Sequence, residues 1–374
     1  AYANVETNDL QQAIQDKLGL ELNWFFDEWL MRGGEPQYTV KYDDITSKSG
    51  KRRTEISVAQ THVRDEVVGL FKMPIHFEVH YTDGSIDRKM EIIDEANELI
   101  KINNNNNKNI DFVLFDPNSR VLKSVNFEKN FDELSAQVLR APHMLDRYDA
   151  LLALKQFDLK QKRDLLMTAF KNETFHQMKA EIITQLIDDE SVAIELQKVF
   201  NLSKPSPKLA AIKGYKGNND SWKKVFVAAL QDSSYDVVSA ALEKLCNSYP
   251  QEAESFLNAT QNVLGMNNAV HVKWLELSVV NNIHKEECIN RLVYYASDAW
   301  EFRTRNNAFA AIKNLGLCNE KLVAHLFDAM LSTNGRLVSP AAQLTEYLAQ
   351  QTLNKKMFIN YYKNQKWENW QKEI

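Results

Sequence analysis

The sequence predicts a multidomain α+β protein, in which two short helices precede a β-sandwich of about seven strands and an all-α domain. Three observations lead to this order. Glycine and proline, 11 and 8 of the 374 residues, are scarce, which favours helices over most of the chain. Apolar residues alternate with a period of two between about 37 and 125, and they recur at helical spacing before and after that segment. The predicted domain ranges are 1–36, 37–128 and 129–374.

The first range contains two predicted helices, one from Thr7 to Gly19 and one from Asn23 to Gly33. Four aromatic residues in six positions exceed what one helix face buries, so the second helix is expected to be enclosed on several sides. Two short helices cannot enclose it, and we therefore expect the rest of its domain to lie upstream of this chain. The four residues are Trp24, Phe25, Phe26 and Trp29.

The second range contains the predicted strands. Asp83-Gly84 is a hairpin signal, because a left-handed glycine suits a two-residue turn between strands. Strict alternation of apolar and polar residues then favours a sandwich over helices. The strands are expected around Tyr38–Tyr42, Ile56–Val58, Ile75–Tyr81, Ile86–Ile92, Glu98–Ile102, Ile110–Phe115 and Val121–Phe127.

The third range is predicted to be helical and repetitive. An apolar set at x, x+3, x+4 and x+7 recurs roughly every 30 to 37 residues, which is the size of a helix pair in a solenoid. A HEAT-like or armadillo-like stack is favoured over an irregular helical bundle. Aromatic residues near the end indicate a closing helix, and they are Tyr361, Tyr362, Trp367 and Trp370.

Composition excludes several classes of protein. A formal net charge of −5 argues against nucleic-acid binding as the main purpose. No apolar run reaches the ~20 residues that a membrane span needs. Cys246, Cys288 and Cys318 are widely spaced, which predicts buried thiols and neither a disulfide framework nor a zinc ribbon.

Catalytic motifs are absent from the sequence. It contains no HExxH, no GxxxxGK(S/T), no GxSxG and no GxGxxG after a strand. His76 and His80 are predicted on one face of a strand with Glu78 on the other, and ~13 Å separates the two histidines along the strand. They therefore cannot share a metal ion directly. The sequence predicts no catalytic and no metal-binding residue in this chain.

One group of residues is a candidate for peptide binding. Arg303 and Arg305 follow Tyr294 and Tyr295, and guanidinium and phenol groups suit a peptide carboxylate or backbone. We predict that these four residues lie on the rim of a substrate channel on the inner side of the helical stack. The alternative is that the arginines bridge adjacent repeats.

Eight segments between about residues 1 and 155 follow one another in a distinctive order: Asn4–Leu10, Trp24–Leu30, Gly33–Pro36, Met73-Pro74, Asp83-Gly84, Phe115–Pro117, Val121–Lys123 and Leu145–Ala150. Taken together, they resemble the C-terminal part of M1-family (gluzincin) zinc aminopeptidases. A W-F-F-D-x-W helix followed by a Gly/Pro turn is typical of the end of the catalytic domain in that family. Glu28 stands where glutamine is commoner, and Gly34 is inserted before Glu35-Pro36.

The resemblance implies a non-catalytic C-terminal region of an enzyme that removes N-terminal amino acids from peptides. In that family the zinc ligands and catalytic residues lie upstream of the W-F-F-D-x-W helix, so zinc is expected in the parent enzyme and no cofactor in this chain. The expected partners are the upstream catalytic domain and the peptide substrate, with the helical domain covering the active site and restricting access. The alternative is an M1-like scaffold or binding module without peptidase activity.

Overall fold

The computed structural model of the protein describes residues 4–367 and divides into two compact units, Ala1–Met178 and Lys179–Ile374. This division follows the density of contacts and differs from the three predicted domain ranges, which stay a prediction. Each unit is described separately below. Trp370, assigned above to the closing helix, lies outside the described residues.

The chain begins with two helices, α1 (Thr7–Leu18) and α2 (Asn23–Phe26), the second of which continues as a π-helical turn over Asp27–Met31. Glu6 caps α1, and Gly19 ends it in the left-handed conformation at φ +67°. No residue of α1 is buried. The apolar side chains of this helix are therefore at least partly exposed to solvent within the described chain.

Helix α2 and the π-helical turn that continues it, together called the aromatic helix, pack on the β-sandwich. Trp24 and Trp29 contact the sandwich core, and the rings of Trp29 and Phe71 lie 5.9 Å apart. Phe26 is 6% exposed, whereas Phe25 is 41% exposed. The sandwich therefore covers Trp24 and Trp29 in part, and the expectation that the rest of this domain lies upstream stays a prediction.

Seven strands form two sheets within the described residues, which confirms the predicted sandwich-like domain. The first sheet has the order β5-β2-β1-β7, in which β1 and β7 are parallel and the other pairs are antiparallel. The second, β4-β3-β6, is antiparallel throughout. The strands are β1 (Gln37–Thr46), β2 (Arg52–Gln60), β3 (Met73–Tyr81), β4 (Ile86–Ile93), β5 (Asn97–Asn104), β6 (Ile110–Phe115) and β7 (Ser124–Phe127).

The core of this domain lies between the two sheets. Tyr38 of the first sheet meets Phe115 of the second, with ring centroids 5.1 Å apart, and Phe77 also contacts Phe115. The predicted hairpin joins β3 to β4, where Gly84 adopts φ +82° and donates to the Tyr81 carbonyl. The period-two pattern thus buries alternate residues on the shared inner face.

Glu78 lies on the same face of β3 as His80, so its predicted position is wrong. Residues two apart in a strand point to the same side, and Glu78 Oε2 lies 2.8 Å from His80 Nε2. Arg88 Nε also donates to Glu78 at 2.8 Å. Burial raises the pKa of Glu78, but the hydrogen bonds from Arg88 and His80 outweigh it and leave that pKa below its usual value.

Strand β7 begins at Ser124, three residues later than predicted. Asp116, Asn118 and Ser119 adopt positive φ angles of 51°, 66° and 47°, so the chain turns tightly after β6. The Val121 amide donates to Asp116 Oδ2 at 2.9 Å. Because a side chain occupies that amide, Val121 does not join the sheet ladder.

The remainder of the described chain is helical, as predicted. Helices α3 to α5 belong to the first unit, and α6 crosses from the first unit to the second. The helices are α3 (Phe131–Arg140), α4 (Met144–Ala153), α5 (Leu159–Asn172), α6 (His176–Leu186), α7 (Ala193–Gln197), α8 (Pro205–Gly214), α9 (Asp220–Ala229), α10 (Tyr235–Ser248), α11 (Ala253–Thr260), α12 (Ala269–Val280), α13 (Lys285–Tyr295), α14 (Phe302–Leu315), α15 (Glu320–Met330), α16 (Gly335–Ala349) and α17 (Thr352–Asn364).

In the second unit, alternate helices along the chain pack against one another. Helices α8, α10, α12, α14 and α16 form a row, and α9, α11, α13 and α15 each contact at least one member of it. Ala211, Ala241 and Ala311 are almost fully buried, and such small side chains let neighbouring helices approach closely. Near the end, Tyr361 and Trp367 pack on Phe327, at 5.0 and 5.4 Å between ring centroids.

Two adjacent phenylalanines test how the aromatic helix is held. We expect Phe26→Ala to lower the free energy of unfolding by about 3 kcal/mol, since its buried ring leaves a cavity. Phe25→Ala should cost less than about 1 kcal/mol, because much of that ring is already in water. Denaturant unfolding of both variants measures this difference. Equal losses would contradict the packing described here.

Candidate functional site

The four residues predicted for a channel rim lie around the connection between α13 and α14. Tyr294 and Tyr295 end α13, and Arg303 and Arg305 lie in the first turns of α14. Glu301 caps α14 and accepts hydrogen bonds from the backbone amides of residues 303 and 304 at 2.6 and 2.8 Å. The cap fixes the direction in which this helix starts.

Arg305 and Tyr295 are inside the helical unit and not on its surface, which corrects their predicted exposure. Arg305 is 5% exposed, and its guanidinium donates to the carbonyls of Ala296 and His325 at 3.0 and 3.1 Å. It also pairs with Asp328 at 3.0 Å. Arg305 thus joins α14 to α15 and to the end of α13, the bridging role that the sequence left as the alternative.

Tyr295 has a similar internal role. It is 1% exposed, and its hydroxyl lies 2.7 Å from His271 Nδ1. Its ring meets Trp300 edge to face, with 4.7 Å between centroids. These contacts attach the end of α13 to α12, so the side chain is fully occupied within the unit.

Tyr294 and Arg303 are the exposed members of the predicted group. Tyr294 is 45% exposed and contacts the ring of Trp300, while Arg303 stacks its guanidinium over Phe302 at 4.5 Å. The described residues show no hydrogen bond or ring contact between Tyr294 and Arg303. Their place on a channel rim stays a prediction.

Tyr294 also lines a cavity of about 670 Å³ between α12 and α13, together with the ends of neighbouring loops. Its aromatic and cationic lining includes His271, Trp274 and Arg291. The Arg291 guanidinium lies 5.3 Å from the Tyr294 ring centroid and 4.9 Å from that of Tyr295. Sequence reasoning missed Arg291, although its spacing of three residues from Tyr294 places both on one helix face.

The polar groups of this cavity differ in what they can still bind. Trp274 Nε1 donates to the Leu257 carbonyl at 2.8 Å and is occupied. Burial, and then the charge of Arg291, lower the pKa of His271, so its imidazole is neutral at pH 7. The guanidinium of Arg291 makes no hydrogen bond within residues 4–367. It can therefore donate hydrogen bonds to a carboxylate or a peptide carbonyl beside aromatic rings.

The described residues contain no cluster with the chemistry of a metal site or an activated thiol. Among residues 4–367, no three His, Cys, Asp or Glu side chains lie together as metal ligands. Burial raises the pKa of the Cys246 thiol to about 11 and also raises those of Cys288 and Cys318. Thiols of this kind are protonated at pH 7 and poor nucleophiles. None of the described helices is long and apolar enough to cross a membrane.

Comparison with known proteins yields a structural likeness only. No protein-family model matches the sequence, and no curated protein matches it. The fold is similar to that of aminopeptidase A from Legionella pneumophila, solved in complex with aspartic acid, with a TM-score of 0.55 at 13% sequence identity. The match covers 95% of this chain and 52% of that chain, so this chain spans about half the length of that protein. The comparison therefore shows a shared fold.

The two arginines of α14 provide a matched test of the site geometry. We expect Arg305→Ala to lower the free energy of unfolding by about 2 kcal/mol or more, because two carbonyls and Asp328 lose a charged donor. Arg303→Ala should change it by less than about 0.5 kcal/mol, since this side chain is exposed. Thermal or denaturant unfolding distinguishes them. A destabilised Arg303 variant beside an unaffected Arg305 variant would reverse the assignment.

Proposed function

We propose that this chain is the non-catalytic C-terminal region of an M1-like zinc aminopeptidase that removes N-terminal amino acids from peptides. One observation carries the proposal: an aminopeptidase shares its fold over 95% of this chain while extending to about twice its length. The order of segments that resemble the M1 family, from Trp24–Leu30 to Leu145–Ala150, supports the same assignment.

In this proposal the zinc ion belongs to the upstream catalytic domain. The described residues of this chain do not fit a zinc site, because no three suitable side chains converge. Glu78 pairs instead with His80 and with Arg88. When bound upstream, zinc would activate water for peptide hydrolysis.

The part proposed for the helical region is to restrict which peptides reach the active site. A HEAT-like or armadillo-like arrangement would suit this part, and the row of alternating helices in the second unit supports it. Arg291 and Tyr294 supply a cationic and aromatic surface for the distal part of a longer peptide. A single-residue substrate would be too short to touch it.

The first test concerns the chain alone. We expect the purified 374-residue polypeptide to hold far less than one zinc ion per chain and to leave aminoacyl reporter amides intact. Metal analysis and a fluorogenic amide assay measure both properties. One tightly held zinc per chain, lost when His76 or His80 is changed to alanine, would contradict the proposal.

The second test concerns the sequence encoded upstream of residue 1. We expect it to contain HExxH followed by a downstream glutamate, which together supply the zinc ligands and the general base of this class. Determining that sequence decides between the peptidase and the scaffold. Upstream residues without this ligand set would favour the scaffold or binding module.

A third test addresses substrate selection in the longer protein. We expect Arg291→Ala to lower kcat/KM for peptides of about eight residues or more by roughly tenfold, the effect of one lost charged hydrogen bond. Single-residue reporters should be cleaved at an unchanged rate. The exposed Arg336 on α16 offers a control, and Arg336→Ala should affect neither substrate. Equal losses on long and short substrates would contradict a selective role for Arg291.

A further inference from the structure

A second cavity, distinct from the one beside Arg291, lies entirely within the first unit. Its volume is about 400 Å³, and it is enclosed by the end of β6, by β7 and by helices α3 and α4. Three aspartates and two lysines line it among apolar side chains: Asp116, Asp146, Asp149, Lys123 and Lys129. We call it the Lys129 cavity. Its size lies within the range of small-molecule sites, ~300–1,000 Å³.

Two buried carboxylates of the Lys129 cavity each keep one oxygen without a partner. Asp116 is 2% exposed, and its Oδ2 pairs with Lys123 and accepts from the Val121 amide, whereas its Oδ1 accepts no hydrogen bond. Asp146 is 5% exposed, and its Oδ1 accepts from the Asn118 amide at 2.8 Å while its Oδ2 accepts none. Buried acceptors of this kind are costly unless a donor reaches them.

Lys129 provides hydrogen-bond donors to the same cavity. Its ammonium donates to Gln137 Oε1 at 2.5 Å and lies 4.5 Å from the centroid of the Phe127 ring. Gln137 is held in turn by its hydrogen bond to the Asp146 carbonyl at 2.7 Å. No further hydrogen bond or ion pair of this ammonium occurs within residues 4–367. Two of its three donors are therefore free for a ligand.

The charge balance narrows the ligand class. With all five groups ionised, three carboxylates against two ammonium groups leave a net charge of −1, which disfavours a simple anion. A bare metal ion is disfavoured because the described acidic residues do not converge as ligands. A simple amine would leave the Lys129 ammonium unpaired. A ligand with one carboxylate and one ammonium meets the free donors and the free acceptors together.

We propose that the Lys129 cavity binds a free α-amino acid with an apolar side chain. Lys129 receives the ligand carboxylate, and Asp149, an exposed residue of the lining, receives the ammonium together with the inner aspartates. Leu134 and Leu152 on the lining supply the apolar contact for the side chain. This inference does not rest on the proposed function, because every group that it uses belongs to the first unit.

The ionisation of Lys129 provides a signature of carboxylate binding. Burial lowers the pKa of Lys129 to about 8, against the opposing charges of Glu133, Asp146 and Asp149. A bound carboxylate favours the charged ammonium and raises this pKa again. Near pH 8, where a fraction of the Lys129 side chains is neutral, binding should therefore be accompanied by proton uptake.

The test uses the unaltered 374-residue chain and L-leucine as the probe. Calorimetry at pH 8 in buffers of different ionisation enthalpy should show saturable binding with proton uptake. L-leucinamide, which lacks the carboxylate, and 4-methylpentanoate, which lacks the ammonium, should each bind at least about tenfold more weakly. Absence of leucine binding at millimolar concentration, or equal affinity for leucine and either analogue, would overturn the proposal.

Matched variants locate the binding. Lys129→Met and Asp149→Asn should each weaken leucine binding by about tenfold, and Lys129→Met should abolish the proton uptake. Lys101→Met and Asp94→Asn alter exposed residues of the same unit and should bind leucine normally. Unchanged affinity in a folded Lys129→Met variant would place the binding elsewhere and overturn the assignment. If that variant does not fold, the comparison of leucine with its two analogues still decides the proposal.

Discussion

The first unit depends on a strand that is buried on both faces. In β6, Val113 and Phe115 face the core between the sheets, while Phe112 and Leu114 form a separate apolar cluster with residues of α3 and the segment after it. A strand whose two faces are both apolar cannot remain at a solvated surface. The second sheet must therefore carry helices on its outer side, and this requirement joins the sandwich to α3 and fixes the connection that follows β6.

That connection gives the first unit its polar interior. Leaving β6, the chain reverses through Asp116, Asn118 and Ser119, all of which have positive φ angles, a conformation that asparagine and aspartate tolerate better than most residues. The side chain of Asp116 then binds the Val121 amide and Lys123, so one buried carboxylate holds both ends of the turn. The turn also brings charged groups next to the apolar ends of α3 and α4. Charged residues in such a place need partners, and the geometry supplies only some of them.

Much of the fold could be predicted from the sequence because burial on one face leaves a regular pattern. Alternation around Ile75–Tyr81 and the Asp83-Gly84 turn are local signals, and they predicted β3, β4 and their hairpin. The start of β7 could not be predicted, because it depends on a hydrogen bond from the Val121 amide to the side chain of Asp116, five residues earlier. The packing of Trp24 and Trp29 on the sandwich was missed for a related reason: a sequence shows that aromatic residues need cover and does not show what provides it.

The candidate site in the second unit shows the same limit of sequence-based prediction within a single helix. Arg303 and Arg305 are two positions apart, so about 200° of helical rotation separates them, and one is exposed while the other is buried. Their shared residue type and their closeness in sequence suggest one role for both, although their surroundings give them different roles. Spacing, in contrast, does predict a shared face: Arg291 precedes Tyr294 by three residues, and their side chains stack. A candidate site in a helical domain is therefore better sought by following one face of one helix than by grouping residues that are close only in sequence.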